Sequence, residues 1–236
     1  MRQENFDLLL TDIWMPRMNG FQLLSCLPNT APLKVVVMTG DDAPDTLLRT
    51  LRMQAYQFIK KPFAPKQLIE LIRSALGAPP APAPIEVVSA EPHWVELLVP
   101  CDLTTAKRVQ SFLEQLDCDL PPQTRSSVGL AFHELLVNAI EWGGKLNPEA
   151  KVRIAYLRAE KMLLYRIADP GKGFQFVGLN HAAIHNPPDK PYEHAKVREE
   201  NGTRPGGFGI LMAKAMVDEL LYNGAHNEVV MVKYLS

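Results

Sequence analysis

Seven residues in the second half of the chain have the types and spacing that a nucleotide site requires. Glu134 and Asn138 stand four apart, so on a helix they share a face and present a carboxylate beside a carboxamide. Such a face can offer an amide oxygen to a metal and a carboxylate to a water or hydroxyl. Asp169 leads into a turn containing Gly171 and Gly173, and a second turn with Gly207 and Gly209 enters an apolar helical stretch at Ile210. The free amides and positive dipole end of a helix suit a polyphosphate. Each segment alone is weak: Glu-x-x-x-Asn occurs on many helices, and Asp-x-Gly-x-Gly also describes a hairpin turn. Lys172 and Arg204 lie close to these turns and either assist phosphates or face solvent. In the first half, Asp12, Thr39 and Lys61 each follow an apolar run, and ligand sites in open parallel sheets lie beyond the carboxyl ends of strands.

The elements that must carry these residues follow from the patterning. Three apolar runs, at 6–11, 33–38 and 56–59, alternate with helical stretches, the signature of a parallel sheet covered on both faces. Gly77 opens an alternating Pro and Ala run to Pro84 that favours an extended spacer. The chain is therefore expected to divide into residues 1–77, a linker over 78–92, and residues 93–236. The last part opens with a strand at 94–99 and a helix at 104–116, for which Asp102 or Thr104 can serve as N-cap. A long helix is predicted from about Gln123 to Trp142, stopped by Gly143 and Gly144. Leu130, Leu135, Leu136 and Val137 mark that helix as largely buried, where an unpaired polar pair is costly. A hairpin (151–157 and 162–169), an irregular polar stretch at about 174–205, a helix at 210–221 and a strand at 228–235 complete the chain.

Composition narrows the classes further. Among 236 residues the net charge is −1 and 47% are apolar, so no basic excess points to nucleic acid and no acidic tail suggests disorder. The apolar runs are strand-sized, far below the ~20 residues of a bilayer span, and the N-terminal residues lack an apolar signal core. A cytoplasmic protein without membrane or nucleic-acid partners is expected. Cys26, Cys101 and Cys118 are odd in number and show no Cys-x-x-Cys spacing, which fits idle thiols better than disulfides or zinc. His181, His185 and His194 are irregularly spaced and read as solvated loop residues rather than metal ligands.

The order Glu134-Leu-Leu-Val-Asn138, Asp169-Pro-Gly171-Lys-Gly173 and Arg204-Pro-Gly-Gly207-Phe-Gly209 resembles the N, G1 and G2 boxes of the GHKL ATPase superfamily. The anti-sigma-factor serine kinases look like the nearest branch, because a short strand and helix at 94–116 precede the N box. That resemblance implies a Bergerat α/β sandwich with a mixed sheet and the cofactors ATP and Mg²⁺. Asn138 would coordinate the metal, Glu134 would be the general base, and Asp169 would accept a hydrogen bond from the adenine amino group. Gly171 and Gly173 would let the backbone pass close to base and ribose. Gly207 and Gly209 would precede the phosphate-facing helix, and the stretch between the G boxes would form a lid.

Residues 1–77 are similar to response-regulator receiver domains, of flavodoxin-like fold. Asp12-Ile-Trp-Met-Pro-x-Met-Asn-Gly20 resembles the segment around the phospho-accepting Asp. Thr39 corresponds to the switch hydroxyl, Phe58 to the switch aromatic, and Lys61 with Pro62 to the Lys-Pro pair, whose bond would be cis. The family's first strand, helix and second strand, with an acidic pair that holds Mg²⁺, have no counterpart here, so the receiver is partial and Asp12 alone is a weak magnesium site. The fold class is thus a two-domain α/β and α+β arrangement: a partial receiver followed by a GHKL domain.

Together these resemblances imply a two-component or partner-switching regulator in which a receiver controls a serine/threonine protein kinase. Its partners would be an anti-sigma antagonist or sigma-like regulator and an upstream histidine kinase, and relatives of this branch often pair as homodimers. Two alternatives remain: a histidine-kinase-type ATPase fragment, suggested by His133-Glu134, and a non-catalytic module that holds ATP for partner binding.

Overall fold

The computed structural model describes residues 6–27, 33–40, 44–77, 84–91, 93–175, 183, 189–190, 192–200 and 207–235. In the N-terminal unit, β1 (Leu8–Asp12), β2 (Lys34–Thr39) and β3 (Gln57–Lys60) form a parallel three-stranded sheet in that order. Leu8 pairs with Lys34 and Val36 with Gln57, a register that brings Asp12, Thr39 and Lys61 to one end of the sheet. Val35, Val36 and Val37 are all buried, as strands covered on both faces demand.

Three helices cover this sheet. Helix α1 (Gly20–Ser25) starts at a capping box: the Asn19 side chain accepts from the Gln22 amide at 2.8 Å, and the Gln22 side chain accepts from the Asn19 amide at 2.9 Å. Helices α2 (Pro44–Arg52) and α3 (Pro65–Gly77) each begin at proline, whose missing N–H costs nothing in the first turn. The Lys61–Pro62 bond is cis.

The C-terminal unit is a six-stranded sheet in the order β4-β5-β6-β7-β9-β8. Its strands are β4 (Glu86–Glu91), β5 (Trp94–Pro100), β6 (Lys151–Ala159), β7 (Met162–Ala168), β8 (Glu219–Tyr222) and β9 (Glu228–Tyr234). Every pairing is antiparallel, where the resemblance implies a mixed sheet. Helices α4 (Leu103–Leu116), α5 (Pro122–Asn138) and α7 (Gly209–Met216) belong to this unit. Alternate strand residues are buried in the core shared with these helices: Val95, Leu97 and Val99 on β5, then Ile154 and Tyr156, Tyr165 and Ile167, and Met231. Ring contacts tie the layers, with Phe132 of α5 at 5.0 Å from Tyr165.

Four expectations are corrected here. Residues 86–91, read as linker, form β4, because the Val87 and Ala90 side chains find a place in the core once the chain turns back on β5. The predicted long helix stops at Asn138 and continues as a π-helical turn, Ala139–Gly143. The helix expected over 210–221 ends at Met216, and Glu219–Tyr222 pair with β9 as β8, since the chain is extended at Val217. Within the stretch read as irregular lies α6 (Glu193–Glu200), and its His194 is 1% exposed with its ring 4.6 Å from that of Phe208, so it is no solvated loop residue. His181, His185 and Arg204 lie outside the described residues.

The two units share one continuous cluster of buried residues, in which Leu47, Leu48, Leu51 and Phe58 meet Ile85, Ala90 and Phe112. Polar contacts cross the same seam. The Gln54 side chain donates to the Ile85 carbonyl at 2.7 Å and accepts from its amide at 3.1 Å, and Arg52 donates to the Ala90 carbonyl at 3.1 Å.

Deep in the C-terminal unit, the Asp117 carboxylate accepts from the hydroxyls of Tyr156 at 2.9 Å and Tyr165 at 2.7 Å. Burial pushes the Asp117 carboxyl above its ordinary range, and the two hydroxyls work against that shift. Tyr165→Phe removes one donor from a buried acid and is expected to cost about 1–3 kcal/mol, read as a lower urea midpoint at unchanged slope.

Candidate functional site

A cavity of about 1060 Å³ opens between α5, the π-helical turn, β7 and α7. Glu134, Asn138, Asp169, Gly171, Gly173, Gly207 and Gly209 all line it, so the residues singled out by spacing converge on one place. Its volume matches the upper range of ligand clefts.

Glu134 and Asn138 sit on the exposed side of the last turns of α5 and are both half-buried. Leu135, Leu136 and Val137 are buried as expected, whereas Leu130 is 39% exposed, so α5 is less enclosed than its sequence suggests. The first residue of α7 lies directly against this pair. A Cβ placed on Gly209 would stand 2.5 Å from Glu134 Oε2 and 3.4 Å from Asn138 Nδ2. A side chain there would push the Glu134 carboxylate aside; glycine leaves it in place, with the first amides of α7 beside the carboxylate and the carboxamide.

Asp169 directly follows β7, where its amide donates to the Asn227 carbonyl at 2.8 Å and its Oδ1 accepts from the Gly171 amide at 2.8 Å. Burial pushes its carboxyl above the ordinary range, and the Gly171 N–H opposes that shift. The π-helical turn brings Gly143 against it, close enough that a Cβ there would fall 2.2 Å from Asp169 Cγ. Extra backbone turns of this kind recur at functional sites because they displace the following residues by one position. Gly173 has φ +81°, and a Cβ on it would meet the Ala225 carbonyl oxygen. Asn227 closes the loop by donating from its side chain to the Gly171 carbonyl at 3.0 Å.

Spacing alone missed the aromatic wall of this cavity. Phe174, Tyr222 and His226 line it with ring centroids 5.4–5.8 Å apart, and Trp142 lines it from the π-helical turn. His226 Nδ1 lies 2.8 Å from the Phe174 carbonyl oxygen, an acceptor, so this nitrogen carries the proton. Phe174 follows the Gly-rich turn directly, but Tyr222 and His226 reach the cavity only through the β8–β9 hairpin.

The cavity fits the nucleotide and metal implied by resemblance. Its oxygen donors, the Glu134 carboxylate and the Asn138 amide, are those that magnesium prefers, and Gly207 and Gly209 line the same cavity. Among the described residues no group of three or more His, Cys, Asp or Glu could hold a metal.

Asp12, Thr39 and Lys61 come together in the N-terminal unit, and Phe58 does not join them. The Lys61 ammonium pairs with the Asp12 carboxylate, whose acidity it raises below the ordinary carboxyl range. The Lys61 amide donates to the Thr39 carbonyl at 2.7 Å, and Thr39 itself is buried. Phe58 points away from this pair into the seam between the units.

Residues 99–233 match the histidine kinase-like ATPase domain, and residues 1–73 match the response regulator receiver domain. The first match covers more than half of the chain, which therefore belongs to the histidine kinase-like ATPase family, joined to a receiver domain. The chain is similar to the response regulator protein FleR of Pseudomonas aeruginosa, 35% identical over 100 residues, covering 42% of this chain and 21% of that protein. It is 31% identical over 88 residues to the DNA-binding transcriptional regulator NtrC of Azospirillum brasilense, with 36% and 18% covered. To the two-component response regulator ORR11 of Oryza sativa subsp. indica it is 32% identical over 77 residues, with 31% and 52% covered. The chain thus spans about a fifth to a half of the length of these relatives. The two matches together make the chain a receiver domain followed by a histidine kinase-like ATPase domain. Among the described residues no helix is long and apolar enough to cross a membrane.

Gly209→Ala drives a methyl group into the Glu134 and Asn138 side chains. The expected result is a roughly tenfold weaker ATP affinity, about 1.4 kcal/mol, by calorimetry, with the melting temperature held within about 4 °C.

Proposed function

We propose that the chain is an ATP-dependent protein kinase of the anti-sigma serine/threonine type whose receiver unit takes the input signal. The observation that carries this reading is the meeting of Glu134, Asn138, Asp169 and both glycine turns around one cavity. The strand and helix preceding α5, here β5 and α4, support the anti-sigma branch over other ATPases of the family.

Bound ATP with Mg²⁺ supplies a transferable phosphoryl group and neutralises its charge. Asn138 would hold the ion through its amide oxygen, and the first amides of α7 would face the phosphates. Asp169 accepts from the adenine amino group, while Phe174, Tyr222 and His226 wall the base. Glu134 takes the proton from a Ser or Thr hydroxyl of the protein partner as that oxygen attacks phosphorus and the bond to the leaving diphosphate oxygen breaks. The partner is an antagonist or sigma-like regulator, and the kinase acts as a pair of chains. In the receiver, the Asp12 carboxylate accepts a phosphoryl group from a histidine kinase, Lys61 compensates its charge, and Thr39 and Phe58 respond to it.

The autokinase alternative finds little support in the position of His133. Its Nδ1 lies 2.7 Å from Gln110 Oε1 in the packing between α4 and α5, one residue from Glu134. A phospho-accepting His needs an accessible surface, and this residue is half-buried against α4 with Nδ1 engaged.

With radiolabelled ATP and a Ser/Thr-bearing antagonist, Glu134→Ala is expected to lower transfer by about 10²–10⁴-fold while ATP binding persists, and Asn138→Ala to lose Mg²⁺-dependent binding. Label retained on His133 would overturn the serine/threonine assignment. The raised Asp169 pKa gives a sign for pH. The ionised carboxylate accepts from the base, and it protonates at higher pH than an ordinary carboxyl. ATP affinity is therefore expected to hold at neutral pH and to decline on acidification before ordinary carboxylates titrate. Asp169→Asn should flatten that decline in a calorimetric series.

A further inference from the structure

Arg108 is an unusual residue to find where it lies. It belongs to α4 of the ATPase unit yet is only 5% exposed, and its guanidinium reaches into the receiver unit. Nε donates to the Tyr56 carbonyl at 3.1 Å and an Nη to the Ala55 carbonyl at 3.4 Å, while the cation stands 5.5 Å from the Tyr56 ring. Burying a guanidinium is costly unless its donors are satisfied, so this contact resists gradual loosening. One helical turn further, on the same face of α4, Phe112 meets Phe58 edge-on at 6.5 Å.

Tyr56 and Phe58 flank the start of β3, which has only four residues. The residue after its far end is Lys61, paired with Asp12. One short strand is therefore held by the Asp12 charge at one end and by α4 at the other. On its opposite side α4 packs on α5, where Gln110, which also donates to Glu114 of its own helix at 2.8 Å, contacts His133 at 2.7 Å. His133 adjoins Glu134, and Asn138 follows one turn later on the same helix.

We propose that Arg108 and Phe112 are positioning residues that couple the charge at Asp12 to nucleotide affinity at the α5 face. This rests on the reading of that face as the ATP site. When the Asp12–Lys61 pair changes, β3 shifts as a unit, and α4 follows because a buried cation and a packed ring leave it no intermediate arrangement. The shift reaches Glu134 and Asn138 through the α4–α5 contact. Coupling of this kind is reciprocal, so nucleotide in the cavity also changes the strength of the Asp12–Lys61 pair.

The test is a cycle on the full chain, with Mg²⁺ and ATP titrated calorimetrically into the unmodified protein, Asp12→Asn, Phe112→Leu and the double variant. Asp12→Asn removes the charge without removing the side chain. It is expected to change the ATP dissociation constant about fivefold or more, and less than about twofold in the Phe112→Leu background. Phe112→Tyr, which keeps an aromatic edge against Phe58, restores the shift. Arg108→Lys, which keeps the charge but not the pair of carbonyl contacts, reduces it as Phe112→Leu does, and circular dichroism identifies any variant that fails to fold. An unshifted Asp12→Asn, or a shift undiminished by Phe112→Leu in folded protein, overturns the coupling while the ATP site stands. No ATP binding by the unmodified chain overturns the site reading and the coupling together.

Discussion

The close approach of backbone to acid side chains governs the ATPase unit. At Gly143 a methyl group would collide with Asp169 down to its Cβ, so the π-helical turn lies where it does because that position carries no Cβ, and at Gly209 a methyl group would displace the Glu134 carboxylate. That nearness brings backbone against two acid side chains that line the cavity. It also places amide donors within reach of the residues that a polyphosphate and a purine would use. Gly173, turned back against Ala225, extends the same constraint to the β8–β9 hairpin and brings Tyr222 and His226 to the wall.

Much of this was legible before folding. The parallel strands of the receiver and Asp102 as one of two candidate N-caps followed from period and caps, which are local, whereas the meeting of the N and G boxes was implied by the resemblance. What stayed hidden was non-local. Nothing in Glu86–Glu91 marks a strand until β5 offers it a partner, and the Pro/Ala run beside it argues for spacer. The end of α7 and start of β8 are hidden because apolar residues continue on both sides of Asp218-Glu219, and in so short a run periodicity cannot separate helix from strand. Tyr222 and His226 lie about fifty residues from Asp169, so no spacing rule could join them to the site. His194 was misread because a histidine among polar neighbours gives no sign that Phe208 will cover it.

The seam between the units is unlike the surface contact of two loosely tethered domains. It joins a shared apolar cluster to hydrogen bonds in which side chains satisfy backbone groups of the other unit, as Gln54 does for both the amide and the carbonyl of Ile85. Backbone groups paired in this way hold register more strictly than apolar packing alone, since a slip of one residue breaks both bonds. Receiver and ATPase therefore meet along a surface with directional as well as apolar content.

Strand β4 carries a practical corollary for anyone wishing to dissect the protein. It lies on the outside of the larger sheet yet also touches α2 of the smaller one, so it serves as a hem stitched to both pieces of cloth. A scission just before Trp94 would strip that hem away, bare the amides and carbonyls of β5, and invite stray strands to pair there. An excised ATPase fragment keeps its border sealed only if it starts ahead of Glu86, and even then Ile85 and Ala90 lose the cover lent by Leu47, Leu48 and Leu51.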